Sequence, residues 1–81
     1  MKILLAGTSF AAAYGGPAYS VSRLAASLAE AGAAIGVWAA DGSAAESPLI
    51  NANDSVVTLE GNLHQALGNF GVPDVVHDNG L

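Results

Sequence analysis

Cysteine is absent from this 81-residue chain, so no disulfide framework braces the fold and no thiolate is offered to zinc or to nucleophilic chemistry. Positive charge is nearly absent as well. Lys2 and Arg23 face seven acidic residues, a net charge of −5, and that balance lacks the cationic footprint that neutralises phosphate backbones. Nucleic acid is therefore not an expected partner. Long apolar runs are missing too. Ile3-Leu4-Leu5-Ala6 is shorter than the roughly 7–15 residues of a signal-peptide core, and Tyr14-Gly15-Gly16-Pro17 interrupts any continuous membrane helix. The expected localisation is cytoplasmic. Large side chains are also few: alanine at 17 positions and glycine at 10 inflate the hydrophobic share of 52%. The size admits one small domain with a thin core, because a chain this short buries only about 60% of its unfolded surface.

What is present is an alternation of short apolar runs with helical patterns. Ile3-Leu4-Leu5-Ala6, running into Gly7-Thr8-Ser9, reads as a strand buried on both faces. A loop over Phe10 to Gly16 leads to Pro17, placed where a first helical residue has no N–H partner to lose. Val21, Leu24, Ala25, Leu28 and Ala29 then recur at helical spacing, with Ser20, Arg23, Ser27 and Glu30 on other faces and Gly32 as the stop. Ala34 to Ala39 is a second apolar run, closed by the turn pair Asp41-Gly42.

Ser43 to Asp54 has no steady period and reads as an irregular connection. Val56-Val57-Thr58-Leu59 predicts a third strand, and Asn62 predicts the cap of a helix with Leu63, Ala66, Leu67 and Phe70 on one face, ended by Gly71. Pro73-Asp74-Val75-Val76-His77 predicts a fourth buried strand, with Asp78-Asn79-Gly80 as the turn behind it. Strand–helix–strand units want right-handed parallel crossovers, so the expected fold class is α/β: an open parallel sheet of four strands in the order 3-2-1-4, with flanking helices.

Ligands of such sheets bind beyond the C-terminal strand ends, where successive connections diverge to opposite faces. With strands one and four as neighbours, that point lies between Gly15-Gly16 and His77-Asp78. Paired glycines before a helix N-terminus let backbone approach an anion closely, though the bland alternative is a plain connector. Neither G-x-G-x-x-G nor a loop ending in Gly-Lys-Ser or Gly-Lys-Thr is spelled here. His77 offers a hydrogen bond, a base or a metal ligand, but no second base or nucleophile accompanies it, so no catalytic residue is assigned. His64, just off its helix's apolar stripe, reads as a surface residue. Asp41 either holds a ribose, as an acid at that strand end does in dinucleotide-binding sheets, or simply closes a turn; the turn is favoured. No metal site is expected.

Met1-Lys2-Ile3-Leu4 through Tyr14-Gly15-Gly16-Pro17-Ala18, with Leu24 to Gly32, resembles the opening of a group 1 glycosyltransferase. Pro73-Asp74-Val75-Val76-His77-Asp78-Asn79-Gly80-Leu81 is similar to the segment closing that family's fourth strand, where His-Asp-His-Gly followed by Leu or Ile and Trp is common. The resemblance implies a two-domain GT-B enzyme of Rossmann-like halves that moves a sugar from a nucleotide-diphosphate donor to a glycan or other acceptor, with retention and without a bound metal or other cofactor. It implies that Gly15 and Gly16 face the donor phosphates and that His77, Asp78 and Asn79 belong to the acceptor side. Asn79 stands where a second histidine is frequent.

On this reading residues 1–81 are part of an N-terminal, acceptor-side domain, inactive alone, whose donor-binding domain lies elsewhere. The expected partners are a nucleotide sugar and a glycan acceptor in the full-length enzyme, itself associated peripherally with membrane, and self-association of the fragment through uncovered sheet. The rival expectation is a stand-alone α/β module that captures an anion or small ligand and catalyses nothing.

Overall fold

The computed structural model describes residues 1–10, 16–44 and 56–78, and of residues 16–19 the main chain only. Its elements run β1 (Lys2–Gly7), α1 (Gly16–Glu30), β2 (Ala34–Ala39), β3 (Val56–Leu59), α2 (Leu63–Phe70) and β4 (Val75–Asp78). The four strands form one all-parallel sheet in the order β3-β2-β1-β4. This is an open, Rossmann-like α/β arrangement, with the strand order the sequence implies.

The continuous apolar run of β1 exists because both its faces are covered. Ile3 and Leu5 join Ile35 and Val37 in a cluster with Val21 and Ala25 of α1. Leu4 and Ala6 point the other way and join Trp38, Leu59 and Ala66, with Leu67 and Phe70 of α2 packed alongside. Leu4 and Leu5 are both essentially inaccessible, each burial contributing about 1.5–3 kcal/mol before entropy is counted. Alternate residues of one strand thus serve two different helices.

Helix α1 begins at Gly16, one residue ahead of Pro17, a difference within the usual scatter of helix ends. Its apolar stripe falls where the spacing predicts, with Val21 and Ala25 buried and Ser20, Arg23, Ser27 and Glu30 exposed. The stop is a Schellman motif. Gly32, at φ +96°, donates to the Ala29 carbonyl at 3.0 Å, and Ala33 donates to Leu28 at 3.1 Å. Helix α2 is closed at its start by a reciprocal capping box: Asn62 Oδ1 accepts from Gln65 N and Gln65 Oε1 accepts from Asn62 N, each at 2.9 Å. Gly71 ends it at φ +92°. Leu63 is the exception on its predicted stripe, 39% exposed in the first turn.

Gly36, in the middle of β2, sets how closely α2 approaches. A Cβ built there would stand 3.0 Å from Leu59 Cδ1 and from Phe70 Cδ1 and Cε1, so the Phe70 ring occupies the space a side chain would take. Trp38 fastens the same face, its Nε1 donating to the Gly61 carbonyl at 3.0 Å.

One expectation is corrected. The fourth strand is not buried: all four residues of β4 are exposed, Val75 at 43% and Val76 at 57%. It starts at Val75, and Asp78 is its last residue rather than the first of a turn. An apolar run predicts burial only when a layer stands over it, and the two helices rest chiefly on β1, β2 and β3. Of the turn predicted behind β4, Asn79 and Gly80 lie outside the described residues. So does most of the irregular connection, beyond Ser43 and Ala44.

Candidate functional site: the C-terminal edge of the sheet

The site follows from strand order. Pairing in the register Ile3↔Val75, Leu4↔Val76, Leu5↔His77 and Ala6↔Asp78 brings the end of β4 beside the end of β1. Partners in a parallel pair project to the same face. His77 therefore shares the α1 face with Leu5, and Asp78 shares the α2 face with Ala6. The two neighbouring polar residues diverge, so a ligand held on one face meets one of them.

Helix α1 returns the chain from β1 to β2. Its 15 residues span about 22 Å, matching the roughly 20 Å of a six-residue strand. Its end leads directly into β2, where Ala34 donates to the Met1 carbonyl at 2.8 Å, so its start lies at the opposite, C-terminal edge. Gly16 opens the helix there, and His77 stands on the same face at the same edge. Gly15 and Asn79 lie outside the described residues. His64 is exposed on α2, as predicted.

Across β1 from His77, the exits of β1 and β2 meet in a polar cluster. Asp41 N donates to the Thr8 carbonyl at 3.1 Å, and Asp41 Oδ1 accepts from Ser43 N at 2.9 Å and from Ser43 Oγ. This is the Asx turn the sequence favours for Asp41. Ser43 Oγ lies 3.1 Å from Ser9 Oγ and accepts the Phe10 N–H at 2.8 Å. The Ser43 and Ser9 hydrogen bonds hold the Asp41 carboxyl below its ordinary value, against an opposing effect of burial. Sequence reasoning found the turn and missed its partners, since Ser9 is 34 positions from Ser43 and only the sheet order joins them.

Among the described residues this edge carries the start of α1, the His77 imidazole and two carboxylates, Asp78 and an Asp41 already engaged by hydroxyls. Among the described residues no group of three or more His, Cys, Asp or Glu could hold a metal ion, and no helix is long and apolar enough to cross a membrane. No protein-family model, no curated protein and no solved structure matches the chain.

Proposed function

We propose that the chain is the acceptor-side N-terminal part of a retaining GT-B glycosyltransferase, moving a sugar from a nucleotide-diphosphate donor to a glycan acceptor in the cytoplasm. The observation that carries the reading is the β1–β4 register, which sets His77 on the α1 face beside the edge where α1 begins. The order of the glycine pair and the late histidine in the sequence supports it. In this reading Gly15 and Gly16 admit the donor phosphates to the helix start, where N–H groups and the dipole favour negative charge. His77 then hydrogen-bonds an acceptor hydroxyl. A donor-binding domain outside these 81 residues supplies the nucleotide grip and the stabilisation of the leaving diphosphate. The fragment alone does not catalyse transfer, and it associates with itself through β4.

The full reading frame tests this. It should continue past Leu81 into a second Rossmann-like pattern, and its product should transfer sugar from a nucleotide-diphosphate donor. His77→Ala in that product should lower kcat/KM about 5- to 100-fold, the cost of one hydrogen bond to a bound hydroxyl. A natural stop at Leu81, or an unchanged kcat/KM in the variant, overturns the reading. For the isolated chain, amide shifts at Gly15 and Gly16 should not saturate with micromolar nucleotide sugar.

A further inference from the structure

The chain leaves β1 and β2 at the same edge, and the two exits are tied by side chains that the sugar-transfer reading does not use. Ser43 is 2% exposed, Ser9 7% and Phe10 0%, so these contacts sit in the body of the fold although Asp41 itself faces solvent. A hydroxyl has one proton and two lone pairs. Ser43 commits its proton to Asp41 Oδ1, which turns its lone pairs toward the Phe10 N–H at 2.8 Å, and Ser9 Oγ, which also bonds the carboxylate, stands 3.1 Å from Ser43 Oγ. The Asp41 main chain closes the tie from the other side, donating to Thr8 at 3.1 Å. Among the described residues, the side chains that hydrogen-bond the carboxylate are Ser43 and Ser9, and neither carries a charge.

We infer that Asp41, Ser43 and Ser9 form a proton-sensitive clamp that fixes the direction in which the chain leaves β1 by tying it to the turn after β2. The ionised carboxylate orients the Ser43 proton, and a charge-assisted bond of this kind is about twice as strong as a neutral one. Protonating Asp41 frees that hydroxyl to rotate, and the Phe10 N–H loses its oriented acceptor. The main chain at Phe10 then loses its side-chain tie to the turn after β2, while the main-chain bond from Asp41 N to the Thr8 carbonyl stays.

Hydrogen exchange and pH titration of the 15N,13C-labelled chain test the clamp. Ser43→Ala should speed exchange of the Phe10 amide about five- to tenfold, the loss of one hydrogen bond, while Leu4 and Val37 keep their protection. Ser43→Thr, which retains the hydroxyl, should keep Phe10 protected. In the unaltered chain the Phe10 and Ser43 amide shifts should follow the Asp41 carboxyl carbon with one shared midpoint below 3.8. Phe10 exchange that is unchanged in Ser43→Ala overturns the clamp, as does a Phe10 amide that stays flat while Asp41 titrates. The titration needs no variant, so it decides the question even if Ser43→Ala fails to fold. No ligand enters either measurement, so the outcome is independent of the sugar-transfer reading.

Discussion

Lys2 and Asp74 clasp each other through two hydrogen bonds. The Lys2 main-chain N–H donates to Asp74 Oδ2 at 2.7 Å, and the Asp74 N–H donates back to the Lys2 carbonyl at 2.8 Å. These contacts join the start of β1 to the approach to β4, the strand whose residues are all exposed. Asp74→Ala should therefore lower Tm by about 4–8 °C, equivalent to roughly 1 kcal/mol in a domain of this size. Asp74→Asn keeps a side-chain acceptor and should recover most of it. A thermal melt followed by circular dichroism reads both, and equal melting of Asp74→Ala and the unaltered chain counts against the clasp.

The Lys2 side chain makes a second attachment. Its ammonium donates to the Phe70 carbonyl at 2.8 Å, at the C-terminal end of α2, and lies 5.5 Å from the Phe70 ring centroid. It also fills the space beside Gly71, where an added Cβ would stand 2.5 Å from Nζ. Gly71→Ala should cost about 1 kcal/mol or more, because φ +92° strains any side chain and the lysine must also move. In a Lys2→Ala background the steric part vanishes and the backbone part remains. Urea midpoints of the four chains in that cycle give the coupling, and strictly additive effects would show that Lys2 does not crowd position 71.

Gly36→Ala should destabilise by about 1–3 kcal/mol, since three carbon atoms of Leu59 and Phe70 already stand 3.0 Å from the new Cβ. Phe70→Leu in the same chain should return part of the loss by making room. A Gly36→Ala chain with an unaltered urea midpoint would mean that α2 moves away from the sheet without cost.

Acid should weaken the fold through Asp41 in a defined window. Its carboxyl titrates below 3.8 when folded, so the unfolded chain takes up the proton first. The stabilisation is complete above the unfolded value and is lost as pH falls through the lowered folded one. Asp41→Asn should remove that portion of the slope below about pH 4 and leave the slope at neutral pH unaltered. Urea midpoints at neutral and acid pH, taken for both chains, measure the difference; parallel curves would contradict it.

Much of this architecture was legible because local signals agreed with one another. Gly32, Asn62 and Gly71 each mark a helix end by a mechanism written in a single residue, and Val21, Ala25 and Ala66 fall on buried faces at the predicted spacing. Strand order followed from the commonest arrangement of such sheets rather than from any single residue, and the pairing agrees with it. What escaped was everything set by distant neighbours. Val75 and Val76 look like buried-strand residues, yet their exposure depends on which layers exist above them. Gly36 looks like a weak point in a strand until Phe70, 34 positions later, is seen to occupy its place. Of the proposed site, His77 and Gly16 are on the described edge, whereas Asp78 turns to the other face for no reason beyond the two-residue period of a strand.

The pairing of β1 with β4 also governs when β1 is flanked on both sides. Ile3 meets Val75, 72 positions later, with β2, β3 and both helices between them. During synthesis β1 can acquire β2 on one side early, but its other side waits until β4 has been made. Closing so long a loop is entropically costly and slow, and a bare strand edge in the meantime is open to pairing with another nascent chain.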